Sequence, residues 1–122
     1  MGKWLLLTLS ALVLFGCGEQ TWQTTDISGV MPELEFTLTD ENGRAVSAEN
    51  YLGRPTLLFF GFTNCPDVCP TTLAQLAGAA RQLDEDAREN LQVLFVSVDP
   101  ARDDPQTLSR YTDAFGPQFI GL

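Results

Sequence analysis

The sequence predicts an α/β domain built around parallel strands, and three observations lead there. Two short runs, Thr56–Phe62 and Leu91–Val98, are apolar on both faces. Such runs belong to central strands covered from two sides. Between them lies a stretch of helical period, and a second, capped helix follows the later run. A strand, helix, strand, helix order makes a parallel unit with right-handed crossovers. The 122 residues suit one domain, and a 44% hydrophobic composition is that of a chain that folds.

The first segment reads as an address. Lys3 precedes an apolar run, Trp4 to Phe15. That run falls short of the roughly 20 residues needed to span a bilayer, and it suits the core of a signal peptide. It ends in Leu14-Phe15-Gly16-Cys17, which resembles the lipobox of bacterial lipoproteins. The resemblance implies a signal peptide over residues 1–16 and lipidation of Cys17. It also implies a location in the envelope of a bacterium, anchored to the membrane by lipid with the domain facing the periplasm. Gly18 follows the cysteine, so no inner-membrane retention signal is evident. Residues 17–32 are rich in Thr, Ser, Gln and Gly and read as a flexible tether. Residues 33–122 form the domain.

Within the domain, Leu34–Leu38 alternates apolar and polar, as a half-buried strand does. Asp40-Glu41-Asn42-Gly43 is a turn, because Asn-Gly tolerates the positive φ of tight hairpins. A strand over Arg44–Val46 closes the hairpin, and Tyr51–Pro55 turns the chain into the first apolar run. From Thr71 to Arg88, residues Leu73, Leu76, Ala77, Ala80, Leu83 and Ala87 recur at helical spacing. Gly78 inside that helix costs about 1 kcal/mol relative to Ala. Asp99-Pro100 ends the second run, and Asp103-Asp104-Pro105 opens a helix to Phe115. Asp99 and Asp103 lie at the carboxyl end of the second run, near the expected site. For Asp103 a capping role is the favoured expectation, with Pro in the first turn. Asp84-Glu85-Asp86 reads as a solvated helix face.

Composition narrows the chemistry. Seven basic against sixteen acidic residues give a net charge of −9, with no basic cluster, so nucleic acid is excluded as a partner. The chain has no histidine. Ser-His-Asp and Cys-His catalysis, His-type zinc sites and histidine pH switches go with it. Cysteines, carboxylates and backbone remain.

Cys65 and Cys69 lie in Gly61-Phe62-Thr63-Asn64-Cys65-Pro66-Asp67-Val68-Cys69-Pro70-Thr71, between the first run and its helix. Ligands of open α/β sheets bind beyond the carboxyl ends of strands, and a helix N-terminus stabilises a thiolate. One helical turn would set the two Cα atoms about 6 Å apart. That distance permits a disulfide and equally two sulfurs gripping one metal ion. Soft thiolates favour Cu(I), with zinc the competitor, but structural zinc wants four ligands.

The segment Phe59-Phe60-Gly61-Phe62-Thr63-Asn64-Cys65-Pro66-Asp67-Val68-Cys69-Pro70-Thr71-Thr72-Leu73 resembles the signature of the Sco/SenC family. These are thioredoxin-like copper proteins of cytochrome c oxidase assembly. Val96–Pro105 and Phe115–Leu122 resemble two further stretches of the family. The resemblance implies a thioredoxin-like fold, an N-terminal β-hairpin followed by βαβα. It implies Cys65 and Cys69 as copper ligands, paired in a disulfide when oxidised. The implied role is a tethered metallochaperone delivering copper to the copper-bearing subunit of cytochrome c oxidase, with a thiol reductant as second partner. The family completes its site with a histidine from a later loop, and no histidine occurs here. The chain is therefore expected to be a piece of a longer protein, lacking the C-terminal half of the fold. Cu(I) is the expected cargo, with Cu(II) held only by a full-length form.

Asp67 and Asp99 are candidates for tuning the dithiol from a second layer. Phe59 and Phe62 are expected in the core. From another functional class comes a thiol–disulfide oxidoreductase, with Cys65 attacking and Cys69 resolving. A peroxidase ranks third, suggested only by Thr63 two positions before Cys65.

Overall fold

The computed structural model describes residues 23–122. The signal peptide, Cys17 and the start of the tether lie outside the described residues. Residues 24–33 are exposed, with a turn in which the Val30 N–H donates to the Ile27 carbonyl. Leu34–Leu122 forms a separate compact unit.

Strand β4 (Gln92–Ser97) is the spine of that unit. It pairs in parallel with β3 (Thr56–Gly61) on one side and with β5 (Phe119–Gly121) on the other. Val93, Leu94 and Phe95 have no exposed surface, each burial worth about 1.5–3 kcal/mol against exposure. Successive side chains point to opposite faces, so the sheet builds two cores. On one face Val93, Phe95, Phe119 and half-buried Phe59 meet Leu73 and Ala77 of α1 (Val68–Ala80) and Leu108 of α3 (Pro105–Asp113). On the other, Leu94, Val96 and Leu122 meet Leu38 of β1 (Thr37–Thr39), Val46 of β2 (Ala45–Ser47) and Tyr51 of the 3₁₀ turn Ala48–Tyr51.

The β1–β2 hairpin is antiparallel, and Gly43 in its turn takes φ +76°, which its missing Cβ permits. The Asp40 carboxylate accepts the N–H groups of Asn42 and Arg44 and pairs with the Arg44 guanidinium at 2.9 Å. From the same turn, one Glu41 carboxylate oxygen accepts the Gly121 N–H (2.7 Å) and the Thr112 hydroxyl (2.9 Å). The hairpin is thereby pinned to β5 and α3.

Five details differ from the sequence expectations. The hairpin strands begin later, at Thr37 and Ala45 rather than Leu34 and Arg44. Among the described residues the first apolar run pairs with β4 on one side, and its Leu57 and Phe60 are exposed rather than covered. An apolar run looks the same whether all or only some of its side chains are covered. The predicted Thr71–Arg88 helix is two, α1 and α2 (Glu85–Asn90). Asp84 starts the second by accepting the Ala87 N–H at 2.8 Å, so it is a cap rather than part of a solvated face. A third parallel strand, β5, follows α3 where none was expected; it forms because Phe119 and Gly121 register against Val93 and Phe95. Finally, Asp104 caps α3, not Asp103: its carboxylate accepts the Thr107 N–H at 2.7 Å. Pro105 occupies the first helical position, which makes the residue before it the cap.

Candidate functional site: a dithiol at the end of β3

Beyond β3, the Cys65 N–H donates to the Phe62 carbonyl (3.1 Å), and α1 begins at Val68. Pro70 sits in the first turn, where a missing N–H costs nothing. Cys65 and Cys69 are buried, 8% and 3% exposed, and both are free thiols. The Cys69 N–H points at the Cys65 sulfur at 3.4 Å. The first turn of α1 thus folds back on the sulfur that precedes it.

The two thiols are electrostatically unequal. A hydrogen bond from the Cys69 thiol holds Cys65 below the ordinary thiol range, and backbone N–H groups of Cys69, Asp67 and Val68 add to the effect. Burial pushes Cys69 up, as does its side-chain bond to Cys65. Cys65 is therefore the more readily deprotonated of the two, and Cys69 holds its proton more firmly.

Gly61, at the last position of β3, makes room for this arrangement. A Cβ there would lie 2.7 Å from Phe95 Cε2 and 3.0 Å from the Cys69 sulfur. Behind the sulfurs, Phe59, Phe95, Tyr111, Phe115 and Phe119 pack in series with ring centroids 5.2–6.1 Å apart. The Tyr111 hydroxyl is buried with no hydrogen-bond partner among the described residues. Burial, and then the charges of Cys69, Cys65 and Asp103, push its pKa up to about 12.

The other sequence candidates fall around the dithiol in different ways. Phe62 is half-buried beside it, and Phe59 joins the helix-side core. The Asp67 side chain is exposed and accepts only a long bond (3.4 Å) from the Thr71 hydroxyl. What Asp67 gives Cys65 is its backbone N–H. Asp99, after β4, pairs with Arg102, and its N–H donates to the Ser97 hydroxyl at 3.1 Å. The sequence places Asp103 near the site, as found, but favours it as a cap and does not reveal its bonds to Thr63 and Ser97. This carboxylate is 5% exposed and accepts the Thr63 N–H (3.0 Å), the Thr63 hydroxyl (2.6 Å) and the Ser97 hydroxyl (2.6 Å). Burial pushes its carboxyl up, but those bonds more than reverse the effect and leave it below its ordinary value.

No group of three or more Cys, Asp or Glu among the described residues could hold a metal ion. A closed four-ligand zinc site is thus not furnished here. Two buried soft sulfurs do fit a Cu(I) ion, which accepts so small a thiolate set.

A parallel sheet with a helix-start dithiol at its carboxyl edge defines a thioredoxin-like dithiol protein. Residues 27–122 match the SCO1/SenC family model, and the chain belongs to that family. It is 45% identical over 87 residues to protein SCO2 of Saccharomyces cerevisiae mitochondria, covering 71% of this chain and 29% of the yeast protein. The copper-bound structure of Bradyrhizobium japonicum ScoI superposes with a TM-score of 0.66 at 46% identity, covering 72% of this chain and 55% of that one. BsSco, in which a disulfide switch has been identified and which is a member of the Sco family of cytochrome c oxidase assembly proteins, gives a TM-score of 0.58 at 29% identity. That match covers 73% of this chain and 53% of BsSco. The chain thus spans less than a third of the yeast protein and about half of the two solved chains.

Proposed function

We propose that the chain is a copper-binding metallochaperone that carries Cu(I) as cargo on Cys65 and Cys69 and delivers it to the copper-bearing subunit of cytochrome c oxidase during assembly. The observation that carries this reading is the pair of buried free thiols held in one turn at the start of α1. Cys65, the more readily deprotonated thiol, offers the first sulfur, and Cys69 gives up its proton as the second sulfur closes on the ion. Burial excludes competing water. With no imidazole in the chain, Cu(II), which prefers nitrogen and oxygen donors in tetragonal array, is held poorly. The copper-bound ScoI relative supports copper as the ion, and the family of BsSco supports the oxidase as recipient. The domain runs over residues 33–122 behind a tether over residues 17–32. Cys17 carries the lipid after removal of residues 1–16, which holds the domain in the periplasm of a bacterium.

The unequal thiols also favour a second reading, a thiol–disulfide oxidoreductase. The Cys65 thiolate attacks a partner disulfide, forming a mixed disulfide and releasing one partner thiol. Cys69 then loses its proton and attacks the Cys65 sulfur, releasing the second thiol and leaving a Cys65–Cys69 disulfide. Two electrons pass to the partner, and a thiol reductant must restore the pair.

Titrating the reduced chain with Cu(I) against a chromophoric chelator separates the two. The chaperone reading expects one Cu(I) per chain, and none in Cys65→Ser or Cys69→Ser. Rapid turnover of a disulfide substrate without copper retention would establish the reductase instead. Cu(II) bound as tightly as Cu(I) would contradict the two-sulfur site.

A further inference from the structure

The loop that carries Cys65 is attached to the rest of the domain at one point. Among the described residues, hydrogen bonds made by residues 62–67 stay within the loop or run to the start of α1, with a single exception. That exception is Thr63. Its N–H donates to Asp103 Oδ2 at 3.0 Å and its hydroxyl to Asp103 Oδ1 at 2.6 Å. Asp103 lies on the β4–α3 connection, 40 positions later. The same Oδ2 accepts the Ser97 hydroxyl at 2.6 Å. Ser97 is the β4 residue registered against Gly61, the last residue before the loop. The Val98 N–H then returns to the Gly61 carbonyl at 2.8 Å. These contacts close a ring through Gly61, Thr63, Asp103 and Ser97.

We propose that Asp103 is a positioning residue for the dithiol: it holds Thr63, and through it the Cys65 loop, in register with the end of β4. The inference rests on the copper reading above only for its metal readout. The carboxylate is buried, has three donors converging on it and, among the described residues, has no side-chain cation hydrogen-bonded to it. A buried charge survives only with such bonds, so the donors and the carboxylate hold one another in place. The pushed-up pKa of Tyr111, to which Cys69, Cys65 and Asp103 all contribute, puts the carboxylate and the sulfurs in one electrostatic neighbourhood. A sulfur whose loop is free to shift must be ordered again each time it binds an ion or closes a disulfide. Fixing the loop beforehand removes that cost. Groups that orient metal ligands from outside behave this way, and their loss typically costs about 10–100-fold in metal affinity.

The test uses the purified, reduced chain and four variants. In Asp103→Asn the amide oxygen can still accept from the Thr63 N–H and Ser97, while its NH₂ group donates to the Thr63 hydroxyl, so the ring survives. In Asp103→Ala it does not. Cu(I) affinity measured by chelator competition is expected to fall about tenfold in Asp103→Ala and to stay near the parent value in Asp103→Asn. The equilibrium constant of the Cys65–Cys69 pair in glutathione buffers needs no metal, and it is expected to shift in Asp103→Ala alone of the two. Should Asp103→Ala fail to fold, Thr63→Val and Ser97→Ala, which each delete one bond to the carboxylate, are expected to shift both quantities in the same direction by less. A lowered thermal midpoint with unchanged copper affinity and unchanged thiol equilibrium would reduce Asp103 to a structural cross-link and overturn the proposal. A parent chain that binds no Cu(I) would remove the copper reading, and the thiol equilibrium would still decide the role of Asp103.

Discussion

Two loops leave the same edge of the parallel sheet, and they are built in opposite ways. The loop after β3 and the first turn of α1 carry the two sulfurs, yet Asn64, Pro66, Asp67 and Val68 stand in solvent. The loop's own bonds amount to one turn and contacts from the start of α1, the Cys69 N–H to the Cys65 sulfur and the Thr71 N–H and hydroxyl to Asp67. The loop after β4 carries no sulfur, and each of its carboxylates is engaged. Asp99 meets Arg102, Asp103 takes Thr63 and Ser97, and Asp104 caps α3. The reactive atoms sit where few strong bonds would have to break when an ion or a partner arrives. The rigidity they need is supplied by the neighbouring loop.

The largest way to break this arrangement is to fill the gap between sulfur and sheet. Gly61→Val places its first added carbon 2.7 Å from a ring atom of fully buried Phe95 and 3.0 Å from the Cys69 sulfur. Overpacking of this kind typically costs about 1–3 kcal/mol. Denaturant unfolding is expected to show that loss, together with weakened Cu(I) binding. A Gly61→Val chain with parental stability and affinity would mean that Cys69 is not wedged against β3.

A smaller effect should separate the loops by pH. The Asp103 carboxyl is held below its ordinary value in the folded state. Its contribution is therefore complete above the ordinary carboxylate range and lost as pH falls through that range towards the depressed value. Thermal midpoints recorded from neutral to acid pH should fall more steeply for the parent than for Asp103→Asn, whose amide does not titrate. Parallel curves would show that the acid sensitivity of the domain lies elsewhere, Asp40 being the next buried carboxylate held low.

How far the sequence foretold these loops depends on how local each signal is. The dithiol was legible because Cys65 and Cys69 stand one helical turn apart at a strand-to-helix junction. The β4 strand was legible because Val93–Val96 is an unbroken apolar run, and the structure buries all of it. The exposure of Leu57 and Phe60 on β3 was not, since an apolar run does not show which of its side chains the described residues cover. Leu83 and Ala87 kept helical phase across a break that Asp84 imposes. The capping role of Asp104 was within reach, because it is the residue before Pro105. The role of Asp103 was out of reach, because its donors come from positions 63 and 97 and only the parallel register brings them together. Glu41 is hidden in the same way, its partners being Thr112 and Gly121.

The smallest expected effect is the most discriminating, because it lies one residue away from a large one. The Arg102 side chain is 63% exposed, and its guanidinium meets Asp99 at the surface. Exposed pairs of this sort contribute little once salt screening and side-chain entropy are counted. Arg102→Ala should therefore shift the thermal midpoint by less than roughly 2 °C, and the shift should vanish at high ionic strength. Copper affinity should not change. The loop would then divide sharply: Asp103 acts through short bonds to Thr63 and Ser97, and Arg102 through a screened surface charge. If Arg102→Ala instead weakened copper binding as much as Asp103→Ala, and salt reproduced that loss in the parent, the two residues would be acting through a shared field. The short bonds to Thr63 would then not be what holds the sulfurs in place.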